Sequence, residues 1–227
     1  MKNKKIITKM VILAILTALI VVLQMIAQFM KIGEFQISLV LVPIAIGAIM
    51  YGPLAGTYLG LVFGGVVLLN GDAAGFLAIN AFGTVVTVLG KGALAGCASG
   101  WVFKALKRKS RIWGIILASI VAPVVNTGLF ALASFTIFHN TMVAWAGEGA
   151  SVFTFVMVTM IGVNFFVEFG ITTVLSPTIV RIVEIANQQL NLGIFDSNSY
   201  NKESEEDIIN NTSSNIYNFD DDDKMVK

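Results

Sequence analysis

"FLAINAFGTVVTVLGKGALAGCASGWVF", Phe76 to Phe103, is a stretch soluble in hydrocarbon with one lysine, Lys91, near its middle. A run of this length and apolarity reads as a membrane-spanning helix, which needs about 20 residues at 1.5 Å each. The pair Gly90–Lys91 also ends a phosphate-binding loop in other proteins. That device needs a glycine five residues before the Gly of the pair and a Ser or Thr after the lysine. Here those positions are Val85 and Gly92, and no other Gly-Lys pair occurs. Lys91 is therefore an intramembrane charge rather than a nucleotide ligand.

Working outward, the 227-residue chain is 56% hydrophobic and 13% charged. A soluble domain carries about 25% charged residues. The charges divide into two regions. Residues 1–195 hold twelve basic and five acidic side chains, net +7, whereas residues 196–227 hold three and nine, net −6. The first region contains six apolar runs, Ile6–Met30, Ile37–Tyr51, Pro53–Leu69, Gly75–Phe103, Ile112–Phe138 and Phe153–Val183. The expectation is an all-α integral membrane protein of six transmembrane helices. The second and third runs are short for a ~30 Å hydrocarbon core. The second region, rich in Asn, Ser, Asp and Glu, has too few apolar residues to fold alone and is expected to be an acidic disordered tail. The "MKNKK" start resembles a signal peptide, but the following run is too long for one and reads as a retained helix. The single cysteine, Cys97, excludes a disulfide framework, and no metal-ligand spacing is present.

Basic residues favour the cytoplasmic side. Lys2, Lys4 and Lys5 precede the first run and Lys9 lies in its first turn, Lys104 to Arg111 hold five basic residues between the fourth and fifth, and Arg181 ends the sixth. Six crossings put all of these on one side, so both termini are expected in the cytoplasm. Three loops then face outward: "KIGEFQ" (31–36), "NGDAAG" (70–75) and "HNTMVAWAGEGAS" (139–151). They carry Glu34, Gln36, Asn70, Asp72, His139, Asn140, Trp145 and Glu148.

Charges at mid-bilayer cost ~2.5–3.5 kcal/mol on insertion scales and usually face a cavity or a partner. Asn80, Thr84, Thr87 and Lys91 are spaced 4, 3 and 4 and so share one helix stripe. Asn164 and Glu168 share a face of the sixth helix. Counting from the helix ends puts Lys91, Glu168 and Asn126 at similar depth. Two readings stand together. Lys91 and Glu168 form a buried ion pair with the Asn residues as interhelical glue, or the set floors a solute cavity open to the outside. Gly56, Gly60 and Gly64, and Gly92, Gly96 and Gly100, repeat every four residues and read as faces for close helix packing.

The pair Ala14 and Ala18 in "AILTA" is a further small-xxx-small face. With six helices, about 190 membrane residues and the segment "ISLVLVPIAIGAIMYGPLAGTYLGLVFG" (Ile37–Gly64), the chain resembles the substrate-binding component of energy-coupling factor (ECF) transporters. The resemblance covers about residues 6–190. It implies a plasma-membrane subunit that captures a vitamin or related micronutrient from outside. It also implies partners, namely one transmembrane coupling protein and two ATPase subunits, so this chain itself is expected to be neither an ATPase nor another enzyme, and needs no cofactor. It assigns Ala14 and Ala18 to docking on the coupling protein. Solute binding falls to the polar set on helices 4 to 6 and the outer loops: Asn80, Thr84, Thr87, Lys91, Asn126, Trp145, Asn164 and Glu168. No constellation specific for riboflavin, thiamine or biotin is present. A self-sufficient secondary transporter is the alternative. No internal repeat supports it, and His139, the one histidine, has no catalytic partners at useful spacing.

Overall fold

Apolar runs interrupted by Gly, Pro and Asn fold into a helical bundle. The computed structural model describes residues 2–29, 31–32, 35–36, 39–147 and 149–190. The expected tail, 196–227, lies outside these. The helices are α1 (Lys2–Phe29), α2 (Leu41–Tyr51), α3 (Pro53–Leu69), α4 (Ala74–Ile79), α5 (Ala81–Leu106), α6 (Arg111–Thr136), α7 (His139–Ala146), α8 (Val152–Thr154) and α9 (Val163–Leu190). A π-helical segment, Phe155–Gly162, joins α8 to α9. After α1, Lys31–Ile32 and Phe35–Gln36 pair as a minimal antiparallel ribbon.

Among the described residues, four helices contain stretches long and apolar enough to cross a membrane: Ile6–Phe29, Ala81–Leu106, Arg111–Thr136 and Phe165–Leu190. The two short runs became α2 and α3, of 11 and 17 residues. Helix α2 is apolar on every side and buries Leu41 and all of Pro43–Met50. It touches α1, α3, α5, α6 and α9. A helix sheathed by protein need not match the lipid thickness, and its all-round hydrophobicity is that of a central core helix. Gly52, with φ of 89°, ends α2 by donating its N–H to Ala48, and Pro53 starts α3 with its preset φ.

Helix α5 runs antiparallel to α3 along the glycines. A Cβ at Gly56 would collide with the Gly96 carbonyl oxygen, and one at Gly60 with the Gly92 carbonyl oxygen. One at Gly64 would lie 2.9 Å from the Val88 oxygen, and one at Gly100 would meet Pro53. The two glycine series, read as packing faces, are the two sides of one seam.

Three departures from the expected spans concern the opposite end of the bundle. The fourth run is not one helix. Asn80 leaves helical geometry (φ −145°, ψ 89°) and separates α4 from α5. Its side-chain oxygen accepts the Gly83 N–H at 2.9 Å, an N-cap bond inside an apolar run. The loop 139–151 contains α7, which buries Met142 in a cluster with Ala133, Phe138, Val156 and Ile161. The sixth run includes the π-helical segment, whose i→i+5 ladder alters the register leading to Glu168.

Candidate functional site

The polar side chains that hydropathy singles out converge from α5, α6 and α9. Thr84 and Thr87 on α5, Asn126 on α6 and Glu168 on α9 are all buried, Glu168 to 6% exposure. Lys91, one turn after Thr87, is half-buried. Its ammonium lies over the Phe130 ring, 5.3 Å from the centroid. Phe130 follows Asn126 by four residues, so the two share a face of α6. Among the described residues Lys91 makes no direct ion pair with Glu168. This corrects the expected contact: the lysine takes the aromatic face instead. The opposite charges still act on one another electrostatically, and Asp72 is a second carboxylate within electrostatic reach of Lys91.

Asn80 begins the stripe as a cap rather than as a helical member. Its carbonyl accepts the Thr84 hydroxyl at 2.7 Å, and its exposed side chain is held by the cap bond. Thr87 Oγ1 and Asn126 Oδ1 are buried without a hydrogen-bond partner. Trp145 is 42% exposed at the end of α7. It packs edge-on against Phe76 of α4, with centroids 5.2 Å apart. Phe76 also meets Phe138 at 5.0 Å and Phe130 at 5.8 Å. An aromatic cluster therefore covers the Lys91 layer from the side of α4 and α7. The side chain of Asn164 lies outside the described residues, as do Glu34 and Glu148. His139 and Asn140 are exposed at the start of α7.

Sequence reading missed a polar clasp at the same end. Gln24 of α1, almost fully buried, donates from Nε2 to Asp72 Oδ2 at 2.7 Å. Asn70 Nδ2 donates to the same oxygen at 2.8 Å, and Gln28 Nε2 donates to the Asn70 carbonyl. The signal was present as two glutamines four apart in an apolar helix, a pattern that asks for a polar partner.

At the far end, α1 buries one stripe, Leu16, Ile20, Gln24 and Ala27. Ala14 and Ala18 are exposed, beside exposed Met10, Val11, Ile15 and Leu19. Helix directions set Lys104 to Arg111 at the end where α1 begins, because Gly100 meets Pro53 and Lys9 stands 5.9 Å from the Tyr51 ring. No cluster of metal-ligating side chains occurs among the described residues.

The sequence matches the family profile of the ECF transporter substrate-specific component over residues 8–180. Among solved structures, ThiT from Listeria monocytogenes aligns with a TM-score of 0.55 and 23% identity, over 78% of this chain and 98% of that one. At that identity the likeness is one of fold. No curated protein matches the chain. The profile covers most of the chain, which belongs to the family of ECF transporter substrate-specific components.

Proposed function

We propose that this substrate-specific component captures a vitamin or related micronutrient from outside the cell. A separate module of one transmembrane coupling protein and two ATPases would then drive uptake. The observation that carries the reading is the layer of buried Thr87, Asn126 and Glu168 with half-buried Lys91 beside an aromatic cluster, in a chain of this family. Burying opposite charges in a membrane bundle is expensive and is typical of a solute path. The solute would enter between α4 and α7 and reach Thr84, Thr87, Lys91, Asn126 and Glu168, with Trp145 at the mouth and Asn80 and Asn164 completing the set.

The exposed Ala14–Ala18 face supports docking of the coupling protein on α1. Small residues let a second helix approach closely. The gathering of Lys104 to Arg111 at the α1 start supports a six-span topology with both termini in the cytoplasm. In this arrangement α2 and α3 span within the protein rather than against lipid. Mass spectrometry of small molecules that copurify with the protein tests the capture step. Uptake of the identified compound into proteoliposomes tests the rest. Dependence on added ATPase module and ATP is the expected result. Uptake by this chain alone would favour a self-sufficient secondary transporter.

A further inference from the structure

Between Asp72 and Glu148 the chain contains no acidic residue, yet Lys104, Lys107, Arg108, Lys109 and Arg111 fall within eight positions. The structure holds these cations on a tight turn. Helix α5 ends at Leu106 and α6 begins at Arg111. The Lys107 N–H donates to the Phe103 carbonyl, and the Lys109 and Ser110 N–H groups donate to that of Leu106, at 2.8 to 3.0 Å. Behind the turn, a Cβ on Gly114 would stand 3.3 Å from the Lys107 nitrogen, so α6 packs directly against it. This backbone does not let like charges spread apart as a long loop would. Arg111 adds to the cost, because it opens α6, where the helix dipole favours an anion. Lys104, Arg108, Lys109 and Arg111 are exposed. A fixed, exposed cluster of one sign attracts ligands of the other.

The neighbours of these charges indicate which anion. Trp101 and Trp113, 57% and 62% exposed, flank the turn on the two helices, and Ile112 is exposed beside them. Lys104 Nζ stands 5.3 Å from the centroid of the Trp101 ring. Exposed indoles next to cationic heads match a bilayer interface, where the ring sits at the acyl boundary and the cation among the headgroups. A free anion or an acidic protein surface would meet the charges and leave the indoles in water. Lys9 of α1 is exposed at the same end of the bundle, so the positive field extends beyond the turn.

We propose that the α5–α6 turn is a headgroup site for anionic phospholipid. The cations of 104–111 take the phosphate, and Trp101 and Trp113 lie against the adjoining chains. Clusters of four to eight Lys or Arg directly beyond a membrane helix recognise anionic lipid in this way. The site lies at the opposite end of α5 from the Asn80 cap, and it stands apart from the solute-capture reading.

The test mixes the full chain in detergent with equal amounts of dioctanoyl phosphatidylglycerol and dioctanoyl phosphatidylcholine and counts lipid adducts by native mass spectrometry. Detergent removes any effect of the substitutions on membrane orientation. The anionic lipid should be retained at least about fivefold over the zwitterionic one. Lys107→Gln with Arg108→Gln and Lys109→Gln should bring that ratio to within about twofold of unity, at an unchanged melting temperature, because backbone bonds hold the turn. Lys2→Gln with Lys4→Gln and Lys5→Gln removes the same charge elsewhere and should keep the preference. Lys107→Arg with Lys109→Arg should keep it as well. A wild-type ratio near one overturns the proposal. So does equal loss in the two triple variants, which would reduce the effect to net charge. Excess ammonium phosphate should leave the lipid adducts in place, and displacement would overturn the proposal by making the turn a free-anion site. Tighter retention of a polyglutamate peptide than of the anionic lipid would overturn it by assigning the turn to an acidic protein. The wild-type ratio and both competitions need no variant to fold.

Discussion

Two small-residue series of the same spacing have opposite fates in this molecule. The glycines of α3 and α5 close on one another until backbone meets backbone, with Gly56 against Gly96 and Gly60 against Gly92. Ala14 and Ala18 of α1 meet nothing comparable and stay exposed. In sequence both are small-xxx-small. The difference lies in what the rest of the chain supplies: α5 brings a complementary glycine face to α3, whereas α1 is anchored through Leu16, Ile20, Gln24 and Ala27 on another side. A small-residue face filled from within is structural, and one left open is available to a partner.

The largest effect is expected inside the seam. Gly96→Leu places a branched side chain against the α3 backbone and should cost more than about 3 kcal/mol. Folded, monodisperse protein should be lost on size-exclusion chromatography. Gly65→Ala, in open space on α3, is the control and should leave the melting temperature unchanged or slightly raised through helix propensity. An equal loss in both variants would mean that the seam is not special.

The other face of α5 carries the next effect. Lys91→Met removes an opposite charge that acts on buried Glu168 without a direct ion pair and should lower the melting temperature. The double variant Lys91→Met with Glu168→Leu should recover much of that, because no buried charge remains. A double variant no more stable than the single would show that the two charges do not compensate each other.

A smaller effect is expected at the clasp. Gln24→Leu leaves Asp72 with one donor fewer and should cost about 1–3 kcal/mol, read as a lower melting temperature. An unchanged melting temperature would mean that α1 is held by its apolar stripe alone.

Hydropathy made the outline legible. The long helices, the Gly52–Pro53 turn, the glycine faces and the segregation of basic residues all follow from run length, φ preference and charge count. Three features were not legible, each for a physical reason. Asn80 caps α5 inside an unbroken apolar run, where "FLAINAFGT" carries no drop in hydropathy to announce a break. The π-helical segment Phe155–Gly162 depends on one extra residue per turn, which packing decides and local propensity does not. In α7, the polar look of "HNTMVAWAGEG" hides a helix that Gly147, with φ of 83°, terminates. At the site, spacing found Thr84, Thr87 and Lys91 on one face. Depth counting alone could not show that the Lys91 side chain would turn to Phe130. Gln24, and its partnership with the loop residue Asp72, were missed because that partnership crosses 48 residues of chain.

Ala18→Trp tests the open alanine face of α1 most directly. The purified variant should keep the wild-type melting temperature and bind the copurifying solute with unchanged affinity. In proteoliposomes with the coupling protein and ATPases it should lose ATP-driven uptake. Equal loss of binding and uptake would contradict the account, showing that Ala18 packs within this chain. Full uptake by the variant would contradict it too, removing α1 from the docking surface.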